Sequence, residues 1–147
     1  MADLKEVKTQ EVEMELMEFA FGEINDSSKD LFEKLGLAFA DQEVVFYEGS
    51  NSNELYILLS GDIEIVGSYG TGKETILAVL ESGEIFGEMS HFDDAVRSAT
   101  ARSKGVSRLL AFSRDNFSLI FQLHPKWTTR LIDGLSRRIR RTIEFSE

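Results

Sequence analysis

Three residues suited to holding an anionic sugar stand close together in the run FGEMSHFDDAVRSATA, residues 86–101. Gly87 lets a ligand approach the backbone closely, because it has no side chain and adopts conformations barred to other residues. A short helix starting at this point turns its free N–H groups toward negative charge. Glu88, when ionised, only accepts hydrogen bonds, which suits a sugar hydroxyl. Arg97, nine residues further on, carries a planar fork of donors that matches two phosphate oxygens. The chemistry implied is recognition of a small sugar phosphate. The plain alternative is that FGE and RSAT are a turn and a strand of an ordinary core, but the pattern is far more specific than a lone Gly-x-Gly-x-x-Gly.

The same run resembles the phosphate-binding cassette of the cyclic nucleotide-binding domain family, shared by bacterial catabolite activator proteins, cyclic-nucleotide-dependent kinases and gated channels. That cassette reads F-G-E-(apolar)-A-L, a variable stretch, then P-R-(A/S/T)-A-T. The chain matches at Phe86, Gly87, Glu88, Met89, Arg97, Ser98, Ala99 and Thr100, with the Glu-to-Arg spacing of the eukaryotic members. It departs at Ser90 and His91, where Ala-Leu is usual, and at Val96, where proline is usual. The likeness extends from about residue 31 to about residue 142 and includes LFEKL and EGSNSNELYILLSGDIEI ahead of the cassette.

The resemblance implies a regulatory domain that senses a cyclic mononucleotide and signals by moving helices. Glu88 would accept a hydrogen bond from the ribose 2′-hydroxyl. Arg97 would neutralise the cyclic phosphate, helped by Ser98 and by the N–H groups of Gly87 and Ala99. Met89 and Ala99 would give apolar contact, and alignment of the last helix with the activator proteins places Thr142 where a hydroxyl meets the base. Ser98 leaves cyclic AMP and cyclic GMP both open, and the Arg-Ser-Ala of bacterial activators favours cyclic AMP. Two other readings stand beside this one: a scaffold or dimerisation protein on the same fold that has lost its ligand, and the sensory fragment of a longer regulator.

The elements that must position these residues follow from periodicity. Residues 1–24 are acidic and helical in pattern, with Val12, Leu16 and Phe19 recurring at i, i+4 and i+7 and Met14, Met17 and Phe21 widening the stripe. That helix is expected to pack on its own domain. Residues 25–28 read as a turn and cap, and residues 29–35 as a short helix ended by Gly36. From residue 42 the period becomes two, giving strands over 43–48, 55–59, 62–65, 75–80 and 106–112. Residues 55–59 form a continuous apolar run, as in a strand covered on both faces. The expected architecture is mainly β with flanking helices: a β-roll, jelly-roll-like, with N-terminal helices and a long C-terminal helix. An acidic helical segment (1–30) precedes the roll and its last helix (31–147). Ser113 is placed to cap a short helix running through Phe117 to Leu123, and Pro125 begins the last helix, at a position that tolerates its missing N–H. There Trp127 and Leu131 face the roll, while Ile132, Leu135, Ile139 and Thr142 follow the steps of a coiled-coil seam. A homodimer through this helix is one expectation, and an unidentified protein partner is another.

Several chemistries are set aside. Gly67 to Lys73 has the glycine and lysine spacing of a P-loop, but Glu74 stands where Ser or Thr is needed, and a strand follows instead of a helix. With no cysteine, disulfides and thiol sites are absent. His91 and His124 lack companions at metal spacing, so no cofactor or catalytic set is expected and the chain is not read as an enzyme. His91 is either a satisfied histidine or a tuner of ligand affinity near neutral pH. The net charge of −10 opposes standing affinity for nucleic acid or anionic membrane. The run Arg137, Arg138, Arg140 and Arg141 is read as a solvated helix face, with no direct DNA binding. No apolar run approaches the ~18 residues of a membrane span, and a cytoplasmic location is expected.

Overall fold

The computed structural model describes residues 4–146, with the side chains of residues 11–137 and of Arg140. Two helices, α1 (Leu4–Phe21) and α2 (Asp26–Leu35), open the chain. α2 starts at a reciprocal cap: the Asn25 side chain accepts from the Ser28 N–H at 2.9 Å, and Ser28 Oγ accepts from the Asn25 N–H at 2.8 Å. Among the described residues the strands are β1 (Gly36–Phe39), β2 (Val44–Phe46), β3 (Leu55–Gly67), β4 (Thr75–Leu80), β5 (Ile85–Phe86) and β6 (Thr100–Phe112). Between β5 and β6 lies the six-residue helix α3 (Glu88–Asp93); a 3-10 turn (Phe117–Gln122) and α4 (Pro125–Ser146) complete the chain.

The strands form one antiparallel sheet in the order β1-β6-β3-β4, with β2 added to β6 and β5 to β3. The mainly β architecture with helices at both ends is the one the sequence implies. The sheet is open, however, and not a closed barrel, since β1 and β4 end the path unpaired with each other.

β3 is longer than periodicity suggests. Gly61 reads as a break between two strands, yet it continues the ladder in the left-handed region at φ +86°, with register shifts on either side of Ser60. A Cβ there would collide with the Val106 carbonyl, so glycine is what lets β3 and β6 stay paired. β6 likewise starts at Thr100, so the end of the cassette motif is already part of the sheet.

The alternating side chains of β3 feed two cores. Leu55, Ile57 and Leu59 join Leu110, Phe112, Ile120 and Trp127 under the helices. Tyr56, Leu58 and Ile63 join Phe86, Ala101 and Leu109 on the other face. This double burial is why the strand reads as an unbroken apolar run.

α1 packs on this chain's own core, but with a rotated stripe. Leu16, Met17, Ala20 and Phe21 are buried, whereas Val12 and Met14 are exposed and Phe19 lies at the margin. The rotation follows from the approach of α4: small Ala20 lets its carbonyl accept from the His124 N–H at 3.0 Å. Trp127 then meets Phe19 edge-on at 5.1 Å and donates to its carbonyl at 3.3 Å. In α4, Trp127 and Leu131 are buried as expected. Of the seam residues, Ile132 is 56% exposed and Leu135 packs against the core under the helices; Ile139 and Thr142 lie outside the described side chains. The glycine-rich stretch is a hairpin loop between β3 and β4, where Glu74 accepts from the Gly70 N–H at 2.8 Å. Among the described residues no helix is long and apolar enough to cross a membrane.

Candidate functional site

The cassette is a turn and one short helix between two strands. Gly87 is the N-cap of α3 at φ +81°, a conformation that side chains rarely adopt. A Cβ on it would lie 2.8 Å from both Arg97 Nη1 and the Glu54 carbonyl oxygen, so its bareness serves the arginine as well as the turn. Ser90 and His91, the two departures from the family pattern, are both buried beneath α3.

Arg97 is 3% exposed, and every branch of its guanidinium is held. Nε donates to Ser52 Oγ at 3.1 Å, Nη1 to the Gly87 carbonyl at 3.0 Å, and Nη2 to the Glu54 carbonyl at 2.8 Å. The Glu54 carboxylate stands 3.9 Å from Nη2. The Arg97 guanidinium carbon lies over the Phe46 ring, Cζ 4.0 Å from its centroid. The backbone is tied as well, the Arg97 N–H donating to the Ser50 carbonyl at 3.0 Å and its carbonyl accepting from Gly49 at 2.7 Å. Burial lowers the Arg97 pKa from its usual value, opposed by Tyr56, Glu54 and Glu88. The group stays charged, because arginine does not deprotonate in proteins. Tyr56, stacked on Phe86 at 5.2 Å, has its phenol pushed up to about 12, chiefly by burial and then by Glu54.

Arg97 borders a cavity of about 390 Å³, whose wall also includes Gly87, Glu88, Met89, Ser98 and Ala99, together with Phe46, Ile65 and Leu80. Six of the seven site residues named from sequence therefore meet at one cavity. The seventh, Thr142, lies outside the described side chains. The volume falls within the ~300–1,000 Å³ of small-molecule sites. Met89 and Ser98 are exposed at the rim, and Ala99 is buried in the wall. Glu88 also borders a wider cleft of about 660 Å³ that reaches Arg130, Gly134 and Arg137 of α4. Arg130 holds that cleft's edge by donating to the Gly83 carbonyl at 3.0 Å.

His91 is a satisfied buried histidine. Its Nδ1 donates to the Asn53 carbonyl at 2.9 Å, which fixes the tautomer, and its ring packs on Phe92 and Phe117. Burial, the largest influence, lowers its pKa, and the Arg114 and Arg97 charges push the same way. Among the described residues no group of three His, Cys, Asp or Glu side chains is placed to hold a metal ion.

Phe46, Ser52 and Glu54 were not singled out from sequence. Glu54 acts mainly through its carbonyl, which carries no residue-type signal, and Phe46 has the look of any strand aromatic.

The profile of the cyclic nucleotide-binding domain family matches residues 37–124. The cyclic AMP receptor protein of Thermus thermophilus is 35% identical over 96 residues, 65% of this chain and 44% of that one. The CRP-like cAMP-activated global transcriptional regulator of Mycobacterium tuberculosis is 32% identical over 104 residues, 71% of this chain and 46% of that one. In three dimensions the Thermus thermophilus catabolite activator protein superposes with a TM-score of 0.62 at 27% identity, over 89% of this chain and 62% of that one. The chain spans about half the length of the curated relatives it matches. It belongs to the cyclic nucleotide-binding domain family.

Proposed function

We propose that the cavity beside Arg97 binds a cyclic mononucleotide, with cyclic AMP favoured over cyclic GMP. The observation that carries this reading is a buried, charged Arg97 in the wall of a cavity whose rim holds Glu88 and Ser98. Hydrogen bonds take three of its five N–H donors, which leaves two for the cyclic phosphate. Glu88 takes the ribose 2′-hydroxyl, Ser98 and the Gly87 and Ala99 N–H groups assist at the phosphate, and Met89 and Ala99 flank the sugar. The family's regulators named above support the choice of cyclic AMP.

The response to ligand is assigned to α4, with Thr142 meeting the base. A ligand shifts an equilibrium only through its different affinity for two states. The cleft between Glu88 and the helix gives α4 room to close. Calorimetric titration with cyclic AMP and cyclic GMP tests the reading. One site per chain, tighter for cyclic AMP, is expected; no heat with either nucleotide at millimolar concentration would reject it. That second result would favour a non-binding scaffold, in which the bonds from Arg97 to the Gly87 and Glu54 carbonyls serve only to staple the loops.

A homodimer through α4 is also proposed, on the exposure of Ile132 and the seam spacing. Each helix would meet its own copy across a two-fold axis. Sedimentation equilibrium should give a dimer that Ile132→Glu dissociates. A wild type that is monomeric at high micromolar concentration, with and without nucleotide, would remove the dimer.

A further inference from the structure

We propose that Phe46 is a positioning residue that sets the tilt of the Arg97 guanidinium and so fixes where the phosphate sits. The inference rests on the ligand reading above and goes beyond it, because Phe46 belongs to neither the cassette nor its motif.

Ser52, Gly87 and Glu54 accept from three different nitrogens of Arg97 at 2.8–3.1 Å. Such bonds are strongest along the N–H directions, which lie in the guanidinium plane. They fix rotation within that plane and only weakly resist a tip out of it. A ring packed beneath the guanidinium carbon adds a restraint that the three bonds lack, and Phe46 provides it with Cζ over its ring, 4.0 Å from the centroid. On the described residues the one other ring near this guanidinium is Tyr56, at 6.0 Å. The two remaining N–H bonds lie in the same plane, so the tilt decides their aim.

Phe46 is itself fixed. It ends β2, is paired with Ala101 next to an irregularity in the β2–β6 register, and packs against Tyr56 at 6.0 Å and Phe86 at 6.2 Å. The attraction between a desolvated guanidinium and a ring face is electrostatic, so an aliphatic side chain of similar bulk fills the space without reproducing it.

The test uses the full chain carrying Phe46→Leu, Phe46→Tyr, Arg97→Lys and the Phe46→Leu, Arg97→Lys pair, each checked for folding by its thermal transition. Phe46→Leu should weaken cyclic AMP binding roughly 5- to 30-fold, and Phe46→Tyr should restore it to within about 3-fold. In the Arg97→Lys background, Phe46→Leu should cost less than about 2-fold, because a point charge has no plane to tilt. An equal loss in both backgrounds would mean that the ring touches the ligand directly, and would overturn the proposal. A second readout needs no ligand: the Arg97 Nε–H resonance in ¹⁵N NMR. Its exchange with solvent should be slow in the wild type and Phe46→Tyr and faster in Phe46→Leu. An unchanged exchange rate in folded Phe46→Leu would overturn positioning. If the wild type binds no cyclic nucleotide, the ligand reading fails while this resonance still decides whether Phe46 holds Arg97.

Discussion

β3 separates two cores of opposite character. On one face Leu55, Ile57 and Leu59 meet Phe112, Ile120, Leu123, Trp127 and the buried side of α1 in a large apolar cluster. On the other face Tyr56, Leu58 and Ile63 meet Phe86 and Ala101, and beside them lies a buried cation, Arg97, held by two carbonyls, a hydroxyl and a ring. Burying a charge is costly unless it is fully paired and hydrogen-bonded. On the proposed function, the first core serves stability and the second holds the charge that meets the ligand.

The largest test of that division is Phe112→Ala. Phe112 is fully buried in the first core, and its loss should lower unfolding stability by about 3–5 kcal/mol, read by urea denaturation. Cyclic AMP affinity of the folded fraction should change less than about 2-fold. A large loss of affinity in folded protein would show that the two cores are coupled.

His91 sits between the regions, hydrogen-bonded to Asn53 in the loop around Arg97 and packed on Phe117 at the edge of the helical core. Its folded pKa is depressed. The unfolded chain therefore takes up a proton first as pH falls below the ordinary value of ~6.5, and stability drops from there until the folded pKa is reached. The slope is at most ~1.4 kcal/mol per pH unit for one proton. The difference in stability between wild type and His91→Leu, followed from pH 7.5 to 5.5, should move against the wild type as pH falls; a flat difference would contradict the assignment.

Ser98 offers the smallest effect. Exposed at the rim, it should leave stability unchanged when replaced by alanine. Cyclic AMP binding should weaken by ~0.5–1.5 kcal/mol, as for one neutral hydrogen bond. A loss as large as that from Arg97 would mean that the phosphate sits nearer the rim than proposed.

Much of this was legible in the sequence where local rules act alone. The two-faced burial of residues 55–59 and the hairpin in place of a P-loop stand as read, the run from Gly87 to Ala99 lines one cavity, and the helix read as starting at residue 29 begins at Asp26, directly after its cap Asn25. The failures share a cause, which is dependence on distant partners. Gly61 reads as a stop until Val106 is known to lie against it. Val12 reads as part of a buried stripe until α4 sets the rotation of α1. The hydrogen-bond acceptors of the Arg97 guanidinium lie 10 to 45 residues away and are largely carbonyls.

Isothermal titration of wild type and Arg97→Ala with cyclic AMP tests the central claim most directly. Removing one partner from a buried, hydrogen-bonded charge contact costs about 2–5 kcal/mol. Affinity should therefore fall about 30- to 3000-fold, while the folded β-sheet signal is retained. A folded Arg97→Ala that binds cyclic AMP as tightly as the wild type would contradict the account.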